Sequence, residues 1–152
     1  MTVIDHLKGF VTKRQGEHRI AAFIDGPNML RKELGIDLET IKRKLSKRGR
    51  LKIAKVFLDQ YASDKLIEAV TNQGFDVVII PSDVDVALAV EAVQACFNDS
   101  IDTIAIVSRD SDFKPVLMVA KAHGKETIVA AVEPDFSSAL RNSADFVLNL
   151  KE

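Results

Sequence analysis

The sequence contains no tryptophan, one tyrosine, one cysteine and three histidines among its 152 residues. A lone cysteine, Cys96, excludes an internal disulfide and is typical of a reducing compartment, so we expect a cytoplasmic protein. The histidines are scattered along the chain, which argues against a zinc site built from His and Cys. No apolar run approaches the roughly 20 residues of a membrane-spanning helix. The first 18 residues lack the continuous apolar stretch of a signal peptide. We therefore expect no membrane partner.

The small net charge of −1 conceals two segments of opposite sign. Residues 31–55 carry ten basic and three acidic residues, a charge of +7, whereas the remaining chain carries eleven and nineteen, a charge of −8. Such an asymmetry predicts that one part of the molecule attracts a polyanion. A solvated helix face is the alternative explanation. The residues that we expect to contact an RNA backbone are Lys42, Arg43, Lys47, Arg48 and Arg50.

Short apolar runs alternate with longer amphipathic segments from residue 20 onward, and this alternation predicts a parallel sheet. The fold class that follows is α/β, a three-layer Rossmann-like fold with a mainly parallel sheet of five to six strands and helices on both faces. The predicted strands are 20–25, 51–58, 75–80, 102–107, 126–132 and 145–149. The predicted helices are 37–47, 63–74, 84–97, 112–123 and 137–143, with Gly49 closing the first of them. Residues 1–19 are expected to form an appended amphipathic helix that could mediate homo-oligomerisation, and residues 20–152 to form the domain proper.

Four aspartates fall just after predicted strands. Asp25 ends the first strand, Asp85 follows the third, and Asp110 and Asp112 follow the fourth. In an open parallel sheet, ligands bind beyond the carboxyl ends of the strands. Acids that converge there repel one another unless a cation compensates, and oxygen-only ligands favour Mg²⁺ or Mn²⁺.

Other aspartates are weaker candidates. Asp76 and Asp102 begin strands and belong to the opposite edge, and Asp59 is secondary. A purely structural role is also open for the four candidates, because aspartate is a common helix N-cap. Asp83 and Asp112 in particular could do no more than cap the helices that follow them.

The stretch "FIDGPNML", residues 23–30, adds an amide to the same edge. Gly26 allows a sharp turn after the strand, and Pro27 suits the first turn of a helix. Asn28 is then able to position a carboxylate, a water or a phosphate, although an asparagine in a turn often serves the turn alone.

Three motifs in order, "FIDGPN", "SDVDVALAVEA" and "SRDSDFKPVL", resemble those of the NYN domain family, in the LabA-like branch of the PIN-like nucleases. The resemblance covers about residues 19–150. It implies a PIN-like variant of the Rossmann-like fold and a ribonuclease site that uses Mg²⁺ or Mn²⁺ on an RNA substrate. The residues that match the family's catalytic positions are Asp25, Asn28, Asp85, Asp110 and Asp112. All of these except Asn28 would hold the metal.

Ser108 and Glu91 match positions that surround the family's metal ligands. Two departures from the family pattern concern the same region. Arg109 replaces a common glycine, and Ser82-Asp83 replaces a Lys-Gly pair. Arg109 therefore joins Ser108 and Glu91 as a residue expected around the metal, where its cation would bind a substrate phosphate or stand in for a metal. The basic segment 42–55 is expected to replace the phosphate contact of the missing lysine.

These observations predict a metal-dependent endoribonuclease that hydrolyses RNA phosphodiester bonds at an acidic cluster on the carboxyl rim of the sheet. A non-catalytic RNA- or protein-binding module on the same fold is the alternative. A Toprim-like nuclease would need a glutamate at position 25, where this chain has Asp25. A haloacid-type phosphatase would need an aspartate at position 27, where this chain has Pro27. Both fit less well.

Overall fold

A computed structural model describes residues 18–30, 35–132 and 138–151. The predicted helix in residues 1–19, and the self-association assigned to it, lie outside the described residues except for His18 and Arg19. The elements in chain order are β1 Arg19–Asp25, α1 Gly26–Met29, α2 Leu38–Ser46, β2 Arg50–Asp59, α3 Asp64–Asn72, β3 Asp76–Ile80, α4 Val84–Cys96, β4 Thr103–Val107, a 3₁₀ turn Ser111–Phe113, α5 Lys114–Ala122, β5 Glu126–Ala131, α6 Ser138–Ser143 and β6 Phe146–Asn149. No helix in the described ranges is long and apolar enough to span a membrane.

The six strands form one sheet in the order β3-β2-β1-β4-β5-β6, and every pairing is parallel. This confirms the predicted Rossmann-like α/β class. The chain moves outward in one direction from β1 to β3 and then returns to place β4 on the other side of β1. The switch point therefore lies at the carboxyl ends of β1 and β4, where open α/β sheets bind their ligands.

The sheet separates two apolar layers because successive side chains of a strand point to opposite faces. In β1, Ile20 and Ile24 belong to the layer that includes apolar side chains of α2 and α3, whereas Phe23 belongs to the layer under α4, α5 and α6. All five residues of β4 are buried. The continuous apolar runs of the sequence thus correspond to strands covered on both faces.

Predicted helix boundaries hold where a capping side chain or a left-handed glycine is present. Asp37 caps α2 through the Thr40 amide at 2.6 Å, and Gly74 and Gly124 end α3 and α5 with φ of 90° and 74°. Gly49 serves another purpose than closing α2, because its φ is not positive. A Cβ on Gly49 would lie 2.5 Å from the carbonyl oxygen of His18, so this glycine permits close approach of two backbones.

The helix predicted for 112–123 begins later than expected. Residues 111–113 form the 3₁₀ turn, and α5 starts at Lys114. Asp110, not Asp112, is the capping side chain here, since its Oδ1 accepts a bond from the Asp112 amide at 2.9 Å. Asp83 occupies the N-cap position of α4 but makes no capping hydrogen bond with its side chain. The capping explanation therefore fails for Asp112 and Asp83.

Candidate metal centre at the switch point

The site is built where three segments meet at the carboxyl edge of the sheet. The first is the turn from β1 into α1, the second is the start of α4, and the third is the loop from β4 to the 3₁₀ turn. Gly26 makes the first segment possible, because a Cβ there would lie 2.5 Å from the Phe57 carbonyl oxygen of β2. The short helix α1 therefore sits directly against the neighbouring strand, and Asp25 is held at the edge.

Asp25 is buried and connects the turn after β1 to the loop after β4 through hydrogen bonds. Its Oδ1 accepts from the Asn28 amide at 3.3 Å, and its Oδ2 accepts from the Ser108 hydroxyl at 3.0 Å. The Ser108 oxygen in turn accepts from the Asp110 amide at 3.1 Å. Asp25 is 6% exposed and Ser108 fully buried. The turn after β1 is thereby tied to the loop after β4.

Burial raises the pKa of Asp25 above its usual value, chiefly because the ionised carboxylate is removed from water. The hydrogen bonds from Ser108 and Asn28 oppose that rise in pKa, and the negative charges of Asp110 and Asp85 add to it. A cation bound beside these three acids would stabilise the ionised form of Asp25.

Three of the four predicted metal ligands come together. Asp85, Asp110 and Asp112 each offer a carboxylate oxygen, and the three oxygens lie within 4.8 Å of one another. Two ligands of an octahedral ion with bonds of about 2.1 Å are separated by about 3.0 to 4.2 Å, so small rotations of the side chains would suffice. The all-oxygen set suits Mg²⁺ or Mn²⁺. Asp25 lies outside this group of three, with both of its oxygens already accepting hydrogen bonds.

Asn28 and Arg109 are bonded to each other across the edge. The Oδ1 atom of Asn28 accepts from the Arg109 backbone amide at 3.2 Å and from its Nε at 3.3 Å. A terminal guanidinium nitrogen donates to the Asn28 carbonyl at 3.3 Å. The bulky cation that replaces the family's glycine is thus folded onto α1 and holds the loop after β4.

Glu91 lies on α4 and forms an ion pair with Lys55 of β2, with 2.6 Å between Oε1 and Nζ. It does not belong to the three-carboxylate group. Lys55 ends the basic segment 42–55 but was not among the five predicted RNA-binding residues, and its signal in the sequence is a lysine within an apolar strand. Lys55 lies two residues before Phe57, the residue of β2 that pairs with Asp25. The Lys55–Glu91 ion pair therefore lies about two residues from the carboxyl edge of the sheet, on the side of the strand centre.

The predicted RNA-binding residues lie at the other end of the sheet. Arg50 begins β2 and pairs with Arg19, the first residue of β1. Lys47 and Arg48 line a cavity with Glu126, the first residue of β5. Lys42 donates to the carbonyl of Gln73 at the end of α3, and Arg43 is exposed on α2.

Six residue steps of about 3.3 Å separate the two ends of β1, so the edges lie about 20 Å apart. Lys47, Arg48 and Arg50 therefore lie too far from the acids to contact a phosphate bound there. Lys55, the last residue of the basic segment, lies two residues before the strand position that pairs with Asp25.

The fold and the site together define a class of protein. A parallel sheet of order 3-2-1-4-5-6 with clustered carboxylates at its switch point is a Rossmann-like α/β domain with a candidate metal site, consistent with a PIN-like fold. A solved structure of a protein of unknown function, VPA0982 from Vibrio parahaemolyticus RIMD 2210633, is similar to it with a TM-score of 0.77 and 19% identity. The alignment covers 88% of this chain and 93% of the other. At that identity the likeness concerns the fold alone.

The chain belongs to the NYN domain family, whose model matches residues 19–151. NYN domains are nuclease-like proteins, which agrees with the acidic cluster. A relative in Methanocaldococcus jannaschii, the uncharacterized protein MJ0482, is 58% identical over 140 residues. That alignment covers 92% of this chain and 58% of the relative, so the chain spans little more than half of the relative's length.

Proposed function

We propose that this protein is a metal-dependent endoribonuclease that hydrolyses RNA phosphodiester bonds at the cluster of Asp85, Asp110 and Asp112. The observation that carries the proposal is the convergence of these three carboxylate oxygens within 4.8 Å at the switch point of an NYN domain. Three carboxylates this close repel one another, a bound cation would offset that repulsion, and a hard cation held by carboxylates supports hydrolysis at phosphorus.

The three carboxylates would hold Mg²⁺ or Mn²⁺. A metal bound there supplies an activated water and neutralises charge on the scissile phosphate. Asp25 fixes the loop after β4 through Ser108, and so determines where the backbone of Asp110 lies. Each Asp25 oxygen accepts one hydrogen bond and keeps a second lone pair, so Asp25 would hold the ion directly or through water.

Asn28 and Arg109 would position the substrate-facing loop in this scheme. The guanidinium already bonds to the Asn28 oxygens, which leaves the Asn28 amide NH₂ as the polar group to meet a phosphate or a water. Glu91, neutralised by Lys55, would support the start of α4 from below rather than take part in the chemistry.

The decisive experiment compares cleavage of end-labelled RNAs by the wild type, Asp110→Asn and Asp99→Asn, with Mg²⁺, with Mn²⁺ and with EDTA. Asp99 is an exposed aspartate between α4 and β4 at the opposite edge, and Asp99→Asn is the matched charge control. We expect metal-dependent cleavage that falls by about 10²–10³-fold in Asp110→Asn and is unchanged in the control. Equal cleavage by all three proteins would refute the proposal.

A binding measurement separates catalysis from metal binding. With Mn²⁺ at 100 times its Kd, the folded state gains about 2.7 kcal/mol, a rise in Tm of about 5–11 °C for a domain of this size. Asp110→Asn should lose most of that rise. If the wild type shows the metal-induced rise and binds RNA but never cleaves it, the protein is the non-catalytic binding module, and Arg109→Gly becomes the variant to test for restored turnover.

A further inference from the structure

A groove at the amino edge of the sheet combines uncompensated cations with an aromatic ring. Two adjoining cavities between the end of α2 and β6 share Lys47 and Arg48. The first extends to His18, Glu126 and Phe146, and the second extends to Lys44 and to residues 147–149 of β6. We call this surface, formed by Lys44, Lys47, Arg48 and Phe146, the basic groove.

The cations of the basic groove have neutral partners. The Lys44 ammonium donates to the carbonyl of Asn149, and the guanidinium carbon of Arg48 lies 3.8 Å from the centroid of the Phe146 ring. In the described part of the chain no carboxylate lies within the 4.0 Å of an ion pair from Lys44, Lys47 or Arg48. Glu126, which also lines the first cavity, lies 3.3 Å from the His18 ring instead, so three positive charges remain available to a ligand.

The arrangement suits the backbone of a single-stranded nucleic acid. Lysine and arginine along a groove neutralise successive phosphates, and an aromatic side chain gives bases a surface to stack on. Arg48 lies over the Phe146 ring, which stays 36% exposed, so a base would stack on the guanidinium plane or on the part of the ring that remains exposed. Outside residues 31–55 the chain carries a net charge of −8, which disfavours the same ligand, so this surface is the favoured one when no metal is bound.

We infer that the basic groove is a second RNA-binding surface that holds single-stranded RNA away from the point of cleavage. This inference rests on the proposed ribonuclease function for the identity of the ligand. His18 at the groove and Asp25 at the acidic edge are seven residues apart along β1, or about 23 Å. At about 3.4 Å per stacked nucleotide, an RNA needs about seven nucleotides to reach from one site to the other.

The test measures binding without cleavage. Fluorescein-labelled oligouridylates of 4, 12 and 24 nucleotides are titrated with the protein in EDTA at 50, 100 and 200 mM KCl, and anisotropy gives Kd. The double variant Lys47→Ala/Arg48→Ala is compared with Lys65→Ala/Lys121→Ala, which removes the same charge from exposed positions on α3 and α5. Both pairs are on the surface, and an unchanged Tm verifies that each protein is folded.

Loss of two phosphate contacts lowers the slope of log K against log salt by about 1.4, which is about 25-fold weaker binding of the 24-mer at 100 mM KCl. The ratio of Kd at 200 mM to Kd at 50 mM falls by about sevenfold for the same reason. The control pair should match the wild type within about twofold.

Equal losses in the two double variants would overturn the inference, because they would show a diffuse charge effect. So would an unchanged Kd in Lys47→Ala/Arg48→Ala, or the absence of any RNA binding. Sedimentation that shows self-association lost with Lys47 and Arg48, without RNA binding, would assign the groove to the acidic edge of a second copy instead. The binding test involves neither metal nor turnover, so the two proposals can fail separately. RNA binding at the groove without RNA cleavage would refute the proposed ribonuclease function alone, and RNA cleavage without binding at the groove would refute this inference alone.

Discussion

Ser108→Ala tests whether the buried chain of hydrogen bonds at the switch point holds the site together. The hydroxyl is fully buried, donates to Asp25 Oδ2 at 3.0 Å and accepts from the Asp110 amide at 3.1 Å. Alanine removes both bonds with almost no change in volume. It leaves one carboxylate oxygen and one backbone amide without these partners.

A buried polar group that loses its partner costs about 1–3 kcal/mol, and a charged one costs more. Because one of the two groups here is a carboxylate, the variant should be about 3 kcal/mol less stable than the wild type. For a domain of this size that corresponds to a fall in Tm of roughly 6–12 °C. Ser143→Ala is the control, since among the described residues the half-buried Ser143 hydroxyl bonds to the Ala139 carbonyl of its own helix α6, and we expect a loss below about 1 kcal/mol.

Urea unfolding in EDTA gives the free energies, and a double-mutant cycle with Asp25→Ala gives the coupling. When Asp25 is already alanine, Ser108→Ala leaves no carboxylate unsatisfied, so its cost should fall by about 1–2 kcal/mol. Additive losses in the cycle, or a Ser108→Ala loss no greater than that of Ser143→Ala, would refute the role assigned to this hydroxyl.

Three further predictions concern the frame around the site. Gly26→Ala places a Cβ 2.5 Å from the Phe57 carbonyl oxygen and should cost about 1–3 kcal/mol by urea unfolding; a neutral effect would contradict the tight contact with β2. Arg19 lowers the pKa of Asp102 through hydrogen bonds at 2.9 to 3.1 Å, so this carboxylate adds stability above pH 3.8 that disappears as the pH falls through its lowered folded pKa. The Asp102→Asn variant should therefore lose about 1–3 kcal/mol of unfolding free energy at pH 7, and this difference from the wild type should narrow below pH 3.8. A difference in unfolding free energy that does not change with pH would contradict the role assigned to the ionised carboxylate. Arg109→Gly removes a cation near the acids and should tighten Mn²⁺ binding by roughly two- to fivefold in calorimetric titration, while weaker binding would mean that loss of its bonds to Asn28 outweighs loss of its charge.

Local sequence signals predict the elements and their order well, because those signals act within a few residues. Strands of Val and Ile are followed by helices that begin at Asp37 and Ser63 and end near Gly74 and Gly124, and the structure has all of them. The signals fail where a contact with a distant segment decides. The sequence predicts that Gly49 ends a helix, but in the structure its missing side chain permits close contact with the His18 backbone. The sequence also allows Asp112 to be a helix N-cap, but it lies inside a 3₁₀ turn that Asp110 caps.

The residues of the candidate site likewise divide into those that local sequence signals predict and those that depend on distant contacts. Position after a strand is enough to select Asp85, Asp110 and Asp112, because parallel strands bring their carboxyl ends to one edge. It cannot separate Asp25 from that group, since the difference lies in burial and in a hydrogen bond to Ser108, 83 residues away. Nor can it show that Glu91 is neutralised by Lys55, which requires the register of α4 over β2.

By itself, the sequence determined the α/β class, the order of the elements and the edge of the sheet at which the acids stand. Hydrophobic periodicity and strand direction are properties of short segments, and they do not depend on how the segments are finally arranged. Only the tertiary structure decided that three of the four acids converge while the fourth ties two loops together, and that Lys44, Lys47 and Arg48 lie against β6. Those relations depend on strand order, side-chain packing and the direction of each helix across the sheet, and these are set by contacts between residues far apart in the chain.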